Sequence, residues 1–285
     1  MTLQIANQLT LTSHQRSFGG WQTVYRHRST VLDCDMNFAV YLPPPVETRA
    51  CPVIYWLSGL TCTEQNFITK AGAQQYAAQH GIILVAPDTS PRGCNLPGED
   101  DSWDFGSGAG FYVNATQIPW AKHYRMYDYV LNELPEAIAA NFPILDTQQG
   151  IMGHSMGGYG ALMLALRNPG RFRSVSAFSP IVAPSQVPWG QKAFRNYLGD
   201  NPDDWLIYDP THLVKQAPER LPILIDQGQA DSFLTEQLQP EKFAELCRTV
   251  NHPISLRLQP GYDHSYYFVA SFMEDHIAHH AAALT

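Results

Sequence analysis

Gly153-His154-Ser155-Met156-Gly157, set between the apolar run Gln149-Gly150-Ile151-Met152 and the helical stretch 160–166, decides how the rest of the chain is read. A serine hydroxyl is a weak nucleophile at neutral pH and needs a base that can reach it. The pattern G-x-S-x-G meets that need with a sharp strand-to-helix turn that thrusts the serine clear of the backbone. Such a turn strains the serine and admits only small neighbours; Gly153 and Gly157 supply them, and Gly158 adds room where the helix starts. Ordinary turns also contain Gly-Ser-Gly pentapeptides. A strand before this one, and a helix after it closed by Asn168-Pro169-Gly170, set it apart.

Working outward, residues 9–28 alternate polar and apolar around Gly19-Gly20, the pattern of a β-hairpin. A further strand over 36–42 stops at Pro43-Pro44-Pro45, and the compact apolar strand 52–57 runs into Ser58-Gly59-Leu60. A helix is predicted over 64–79, closed by Gly81, and a second compact strand over 82–86. Strands 174–178, 223–226 and 254–258 follow the elbow, with helical patterns between and after them. Apolar runs alternating with helices imply a parallel sheet covered on both faces. Together with the antiparallel opening this predicts an α/β-hydrolase fold, and no linker, repeat or low-complexity tract divides 1–285 into more than one domain. Residues 89–119 are irregular, yet rich in Gly, Asp and aromatics, and are read as a packed loop over the site.

Composition narrows the function classes. With 285 residues, 45% of them hydrophobic, the chain has enough length for one large core. A net charge of −8 argues against nucleic acid or an anionic membrane as partner. Cys34, Cys51, Cys62, Cys94 and Cys247 are odd in number and contain no C-x-x-C, so neither a disulfide framework nor a zinc site is indicated. Segment 1–30 has no apolar leader core and no 18-residue apolar span occurs, which predicts a cytoplasmic protein.

The elbow serine requires an acid and a histidine later in the chain. Strand 223–226 leads into Gln227-Gly228-Gln229-Ala230-Asp231, where Asp226 falls at the strand end and Asp231 in the loop beyond; Asp231 is favoured, with Asp226 and Asp263 as rivals. His264 follows strand 254–258 through Pro260-Gly261-Tyr262-Asp263, where a base is required. His154, within the elbow, is expected to turn away from the serine. His276, His279 and His280 read as the polar face of a terminal helix rather than as metal ligands, because no further ligand cluster accompanies them. Ser155 then attacks, His264 shuttles the proton and Asp231 fixes the imidazole. The oxyanion hole is assigned to the backbone N–H groups of Met156 and of Leu60, and Cys62 lies just beyond as a thiol at the pocket rim or a buried apolar residue.

At these residues the chain resembles one family, S-formylglutathione hydrolase, also called esterase D. The resemblance covers nearly the whole length. It rests on Trp56-Leu57-Ser58-Gly59-Leu60-Thr61-Cys62-Thr63, Trp103-Asp104-Phe105-Gly106, Pro188-Trp189-Gly190-Gln191-Lys192-Ala193-Phe194 and Tyr262-Asp263-His264-Ser265-Tyr266-Tyr267-Phe268, besides the elbow. It departs at Tyr159, where the family usually has histidine, and at Ala183, where it usually has asparagine. The resemblance implies hydrolysis of S-formylglutathione to glutathione and formate in formaldehyde detoxification, cleavage of small acyl esters, no metal or organic cofactor, and often a homodimer. Trp103 and Trp189 are expected to crowd the acyl side, and the acidic run Glu99-Asp100-Asp101 either meets the glutathione ammonium group or is a solvated acidic loop. A broad short-chain carboxylesterase, an acyltransferase on the same triad and a non-catalytic binding module are the competing readings; the intact triad positions oppose the last.

Overall fold

The computed structural model describes residues 9–284. Part of segment 1–30, read above as lacking a leader core, lies outside them. The strands are β1 (Thr10–Ser17), β2 (Gly20–Ser29), β3 (Cys34–Leu42), β4 (Cys51–Leu57), β5 (Ile83–Pro87), β6 (Ile144–His154), β7 (Ser174–Phe178), β8 (Ile223–Gly228) and β9 (Ile254–Gln259). Among the described residues they form one sheet in the order β1-β2-β3-β5-β4-β6-β7-β8-β9. The pairs from β1 to β3, and β3 with β5, are antiparallel; those from β5 through β4 to β9 are parallel. The sheet is therefore the expected α/β-hydrolase sheet with an antiparallel opening.

The compact apolar strands follow from burial on both faces. Along β4, Val53, Tyr55 and Leu57 enter one core while Ile54 and Trp56 enter the other, so no polar alternation survives in the sequence. Helices Glu64–Lys70, Ala73–His80 and Tyr266–Leu284 cover the second face; Leu134–Asn141, Met156–Arg167, Pro188–Leu198 and Pro240–Thr249 cover the first.

Three boundaries differ from the expectation. The helix predicted over 64–79 is two helices, because Gly72 takes a left-handed φ of +64° and turns the chain after Ala71. Strand β6 starts at Ile144 rather than at residue 149, its first half being polar and part-exposed. Strand β8 runs on to Gly228, which leaves Asp226 inside the strand.

Segment 89–119 is irregular and well packed. Phe111, Tyr112 and Val113 are fully buried, and the Tyr112 hydroxyl donates to the Ser58 carbonyl at 2.8 Å. Gly108 accepts from the Thr61 N–H at 2.9 Å and donates to Ser90 Oγ at 2.7 Å. The segment thus braces the loop after β4, and only Trp103, 56% exposed, reaches over the pocket described next.

Candidate active site

The sheet reverses its winding between β4 and β6, and the crevice outside the carboxyl ends of those strands is where open α/β sheets take their ligands. Ser155 stands at the end of β6 with φ +58° and ψ −120°, strained geometry for a residue with a Cβ. Its N–H donates to the Phe178 carbonyl at 2.9 Å and its carbonyl accepts from Tyr159 N–H at 2.9 Å, bonds that hold the turn. The glycine requirement is steric. A Cβ on Gly153 would strike the Gly157 carbonyl oxygen, and one on Gly157 the Leu57 carbonyl oxygen.

Ser155 lines a pocket of about 200 Å³ together with His264, Leu60, Cys62, Trp103 and Trp189. His264 Nδ1 lies 2.6 Å from Asp231 Oδ2. Asp231 is fully shielded from solvent and also accepts from the Phe233 N–H at 2.9 Å and from Gln227 Nε2 at 3.2 Å. Burial pushes its carboxyl up, but the bonds from His264, Phe233 and Gln227 outweigh burial and hold it below the ordinary carboxylate value. An ionised Asp231 fixes the proton on Nδ1, which leaves Nε2 as the basic nitrogen of the ring.

The rival acids are committed elsewhere. Asp226 accepts from both Arg257 Nε, at 2.8 Å, and Arg257 Nη2, from Gln259 at 2.7 Å and from His276 Nε2 at 2.9 Å. Asp263 accepts from the N–H and Oγ of Ser265 at 2.9 and 2.6 Å.

Leu60 and Met156 each carry an N–H that is not taken up by a backbone acceptor among the described residues. Gly59 lies so close to the nucleophile that a Cβ on it would approach Ser155 Cβ to 3.0 Å. Thr61, at φ +67°, turns its own N–H to Gly108, and Cys62 N–H donates to the Gly59 carbonyl at 3.3 Å. Met156 opens the helix Met156–Arg167, so its N–H has no intrahelical acceptor.

Other expectations are corrected. His154 does not turn away from the site: its ring lines the pocket, 4.5 Å from the His264 ring at a 42° tilt. Burial holds it neutral, well below the ordinary imidazole value, and neither of its nitrogens has a hydrogen-bond partner among the described residues. His276 and His280 are not an exposed polar face; both are fully buried against the sheet. His276 Nδ1 pairs with Ser176 Oγ at 2.8 Å, and His280 pairs with Ser174 and Ser176 at 2.6 and 2.9 Å. Among the described residues no group of three or more potential metal ligands occurs. Glu99 is buried and is held by the backbone N–H groups of Cys94 and Leu96 and the hydroxyl of Tyr124; neither Asp100 nor Asp101 lines the pocket. Asp104 is occupied by Lys192. Tyr159 and Ala183 are fully buried and line no part of the pocket, so those departures concern the core behind it.

The aromatic wall contains one residue that sequence reasoning missed. Trp103 and Trp189 meet edge-on at 5.5 Å, and Phe233 bridges Trp189, at 4.7 Å, to the His264 ring, at 5.1 Å. The signal was its place two residues after Asp231, in the loop that must lie under the histidine.

Residues 29–279 match the model of a family described as "Putative esterase". A protein of Rattus norvegicus named S-formylglutathione hydrolase is 57% identical over 279 residues, covering 97% of this chain and 99% of its own. Its namesake from Mus musculus is 59% identical over 95% of this chain and 97% of its own. A solved structure of an S-formylglutathione hydrolase from Agrobacterium tumefaciens superimposes with a TM-score of 0.94 at 47% identity, covering 96% of this chain and 99% of that one.

Proposed function

This chain belongs to the esterase family and, within it, to the S-formylglutathione hydrolases, and from that premise we propose that Ser155, His264 and Asp231 carry out the hydrolysis of S-formylglutathione. The protein is a hydrolase, and its reaction converts S-formylglutathione and water to glutathione and formate. The observation that carries the assignment of residues is the 2.6 Å bond from His264 to a buried Asp231, with His264 lining the same pocket as the strained Ser155.

In the proposed sequence, Ser155 Oγ attacks the formyl carbon while His264 Nε2 takes its proton. The resulting oxyanion is received by the N–H groups of Leu60 and Met156, each donor contributing about 2.7–4 kcal/mol to the transition state. Collapse breaks the carbon–sulfur bond, and the imidazolium protonates the departing glutathione sulfur. Water then attacks the formyl ester of Ser155, His264 again accepts a proton, and formate leaves as Ser155 recovers its hydrogen. No step draws on a metal or organic cofactor. The same chain of events cleaves short acyl esters, for which the small pocket has room.

Five free thiols support a cytoplasmic placement. No helix among the described residues is long and apolar enough to cross a membrane. A homodimer completes the reading, and sedimentation velocity tests it. The function is tested by incubating the protein with S-formylglutathione and following thiol release and formate. Ser155→Ala should abolish both products while circular dichroism stays native; thiol release persisting in that variant would contradict the assignment.

A further inference from the structure

Next to the pocket lies a second concavity, a groove of about 450 Å³ lined by Lys70, Ser265, Tyr266, Tyr267 and Ala270. His264 lines the pocket, and the next residue, Ser265, lines the groove. The Tyr266 ring stands 5.7 Å from the His154 ring in the pocket wall, and Lys70 Nζ lies 5.8 Å from the Tyr266 ring. Burial pushes the Cys62 thiol up and the charge of Lys70 partly offsets it, so the ammonium is within electrostatic reach of the pocket wall.

Lys70 is exposed, and among the described residues no carboxylate pairs with it. The neighbouring cations are engaged, Arg92 with Asp88 and Lys192 with Asp104. The pocket itself is lined by neither lysine nor arginine. The substrate's thiol portion is a tripeptide with two carboxylates and one ammonium group, hence a net anion at neutral pH. A protein of net charge −8 repels such a ligand unless a local cation meets it. The thioester sulfur belongs to the central residue of that tripeptide, so the two arms carrying the terminal carboxylates extend away from the reacting carbon and out of the pocket.

We propose that the groove is the subsite for the peptidyl thiol half of the substrate, with Lys70 receiving one of its carboxylates and the Tyr266–Tyr267 pair lying along its backbone. Tyr267, 86% exposed, presents its ring to solvent where the peptide would lie. The subsite rests on the function proposed above. It separates the two ends of the substrate: the acyl group enters the aromatic pocket, and the leaving group extends across the groove.

The experiment compares kcat/KM for S-formylglutathione with that for 4-nitrophenyl acetate, a neutral ester without carboxylates, in wild type, Lys70→Gln, Lys70→Glu and Lys70→Arg. Because an exposed ion pair contributes modestly, Lys70→Gln should lower the thioester-to-ester ratio by about three- to fivefold, through KM. Lys70→Glu should lower it further, Lys70→Arg should restore it, and the differences should shrink in high salt. An unchanged ratio in Lys70→Glu, or equal losses on both substrates, overturns the subsite. If wild type fails to hydrolyse S-formylglutathione, the function fails instead. The subsite is then decided by reduced glutathione as an inhibitor of ester hydrolysis: a Ki raised by Lys70→Glu supports it, and an equal Ki overturns it.

Discussion

Asp226 and Asp231 leave one strand and its following loop with separate partners: Asp226 is shared by Arg257, Gln259 and His276, whereas Asp231 accepts from His264 alone among the imidazoles. Replacing each by asparagine should therefore damage different properties. Asp231→Asn should lower kcat by roughly four orders of magnitude through the wrong imidazole tautomer, with little change in melting temperature. Asp226→Asn should strip Arg257 of its buried carboxylate partner and His276 of a charged acceptor, and cost roughly 3 kcal/mol of stability. Kinetics and denaturant titration of the two variants check this, and full activity in Asp231→Asn would reassign the acid.

Stability should fall on acidification in two stages. Burial lowers His27, His154, His276 and His280 from the ordinary 6.5, so the unfolded chain binds protons that the native one refuses. Stability from these groups is complete above pH 6.5 and is lost as pH falls below it. Burial pushes the Asp226 carboxyl up, but the bonds from His276 and Arg257 outweigh it and hold the group down at about 2. Its contribution is present above the ordinary 3.8 and is lost between there and about 2. Calorimetry from pH 8 to 3 should show the melting temperature dropping in both windows; a flat profile between pH 7 and 5 would contradict the first.

The aromatic wall should set acyl size. Trp103→Ala and Trp189→Leu remove the edge-to-face pair over a pocket of about 200 Å³. Each methylene admitted is worth about 1–3 kcal/mol. Butyryl thioester turnover should then rise relative to formyl, measured as a ratio of kcat/KM. Parallel changes for both acyl groups would place the steric limit elsewhere.

Cys62 lines the pocket, and burial holds its thiol above the ordinary range. N-ethylmaleimide should inactivate slowly at neutral pH and faster as pH rises, because the thiolate is the reacting form. Cys62→Ser should escape this inhibition. Equal sensitivity in that variant would move the effect to another cysteine.

Much of this was legible because the elbow is so constrained. Gly153 and Gly157 are read from the sequence as steric necessities, and the colliding carbonyl groups of Gly157 and Leu57 are what impose them. Chain order, with their places in the loops after strands 223–226 and 254–258, pointed to Asp231 and His264 among many carboxylates and imidazoles. What escaped depends on long-range partners. Nothing local reveals that Glu99 turns inward to Tyr124, or that His276 and His280 are buried and hydrogen-bonded to serines of β7. A polar helix face and a buried polar helix face have the same periodicity. Lys70 was likewise invisible, because the groove it lines is assembled from separate elements.

The order of the strands also governs when the protein becomes reactive. Ser155 and both candidate oxyanion donors are complete at the ends of β4 and β6, but the base arrives only after β9. At about 5–20 residues per second of synthesis, Ser155 leaves the ribosome roughly five to twenty seconds ahead of His264. With His264 as the base proposed above, the nascent chain throughout that interval displays Ser155 without the group that would deprotonate it. The same interval leaves β7 as a bare, apolar edge awaiting β8, the kind of edge that pairs with other chains.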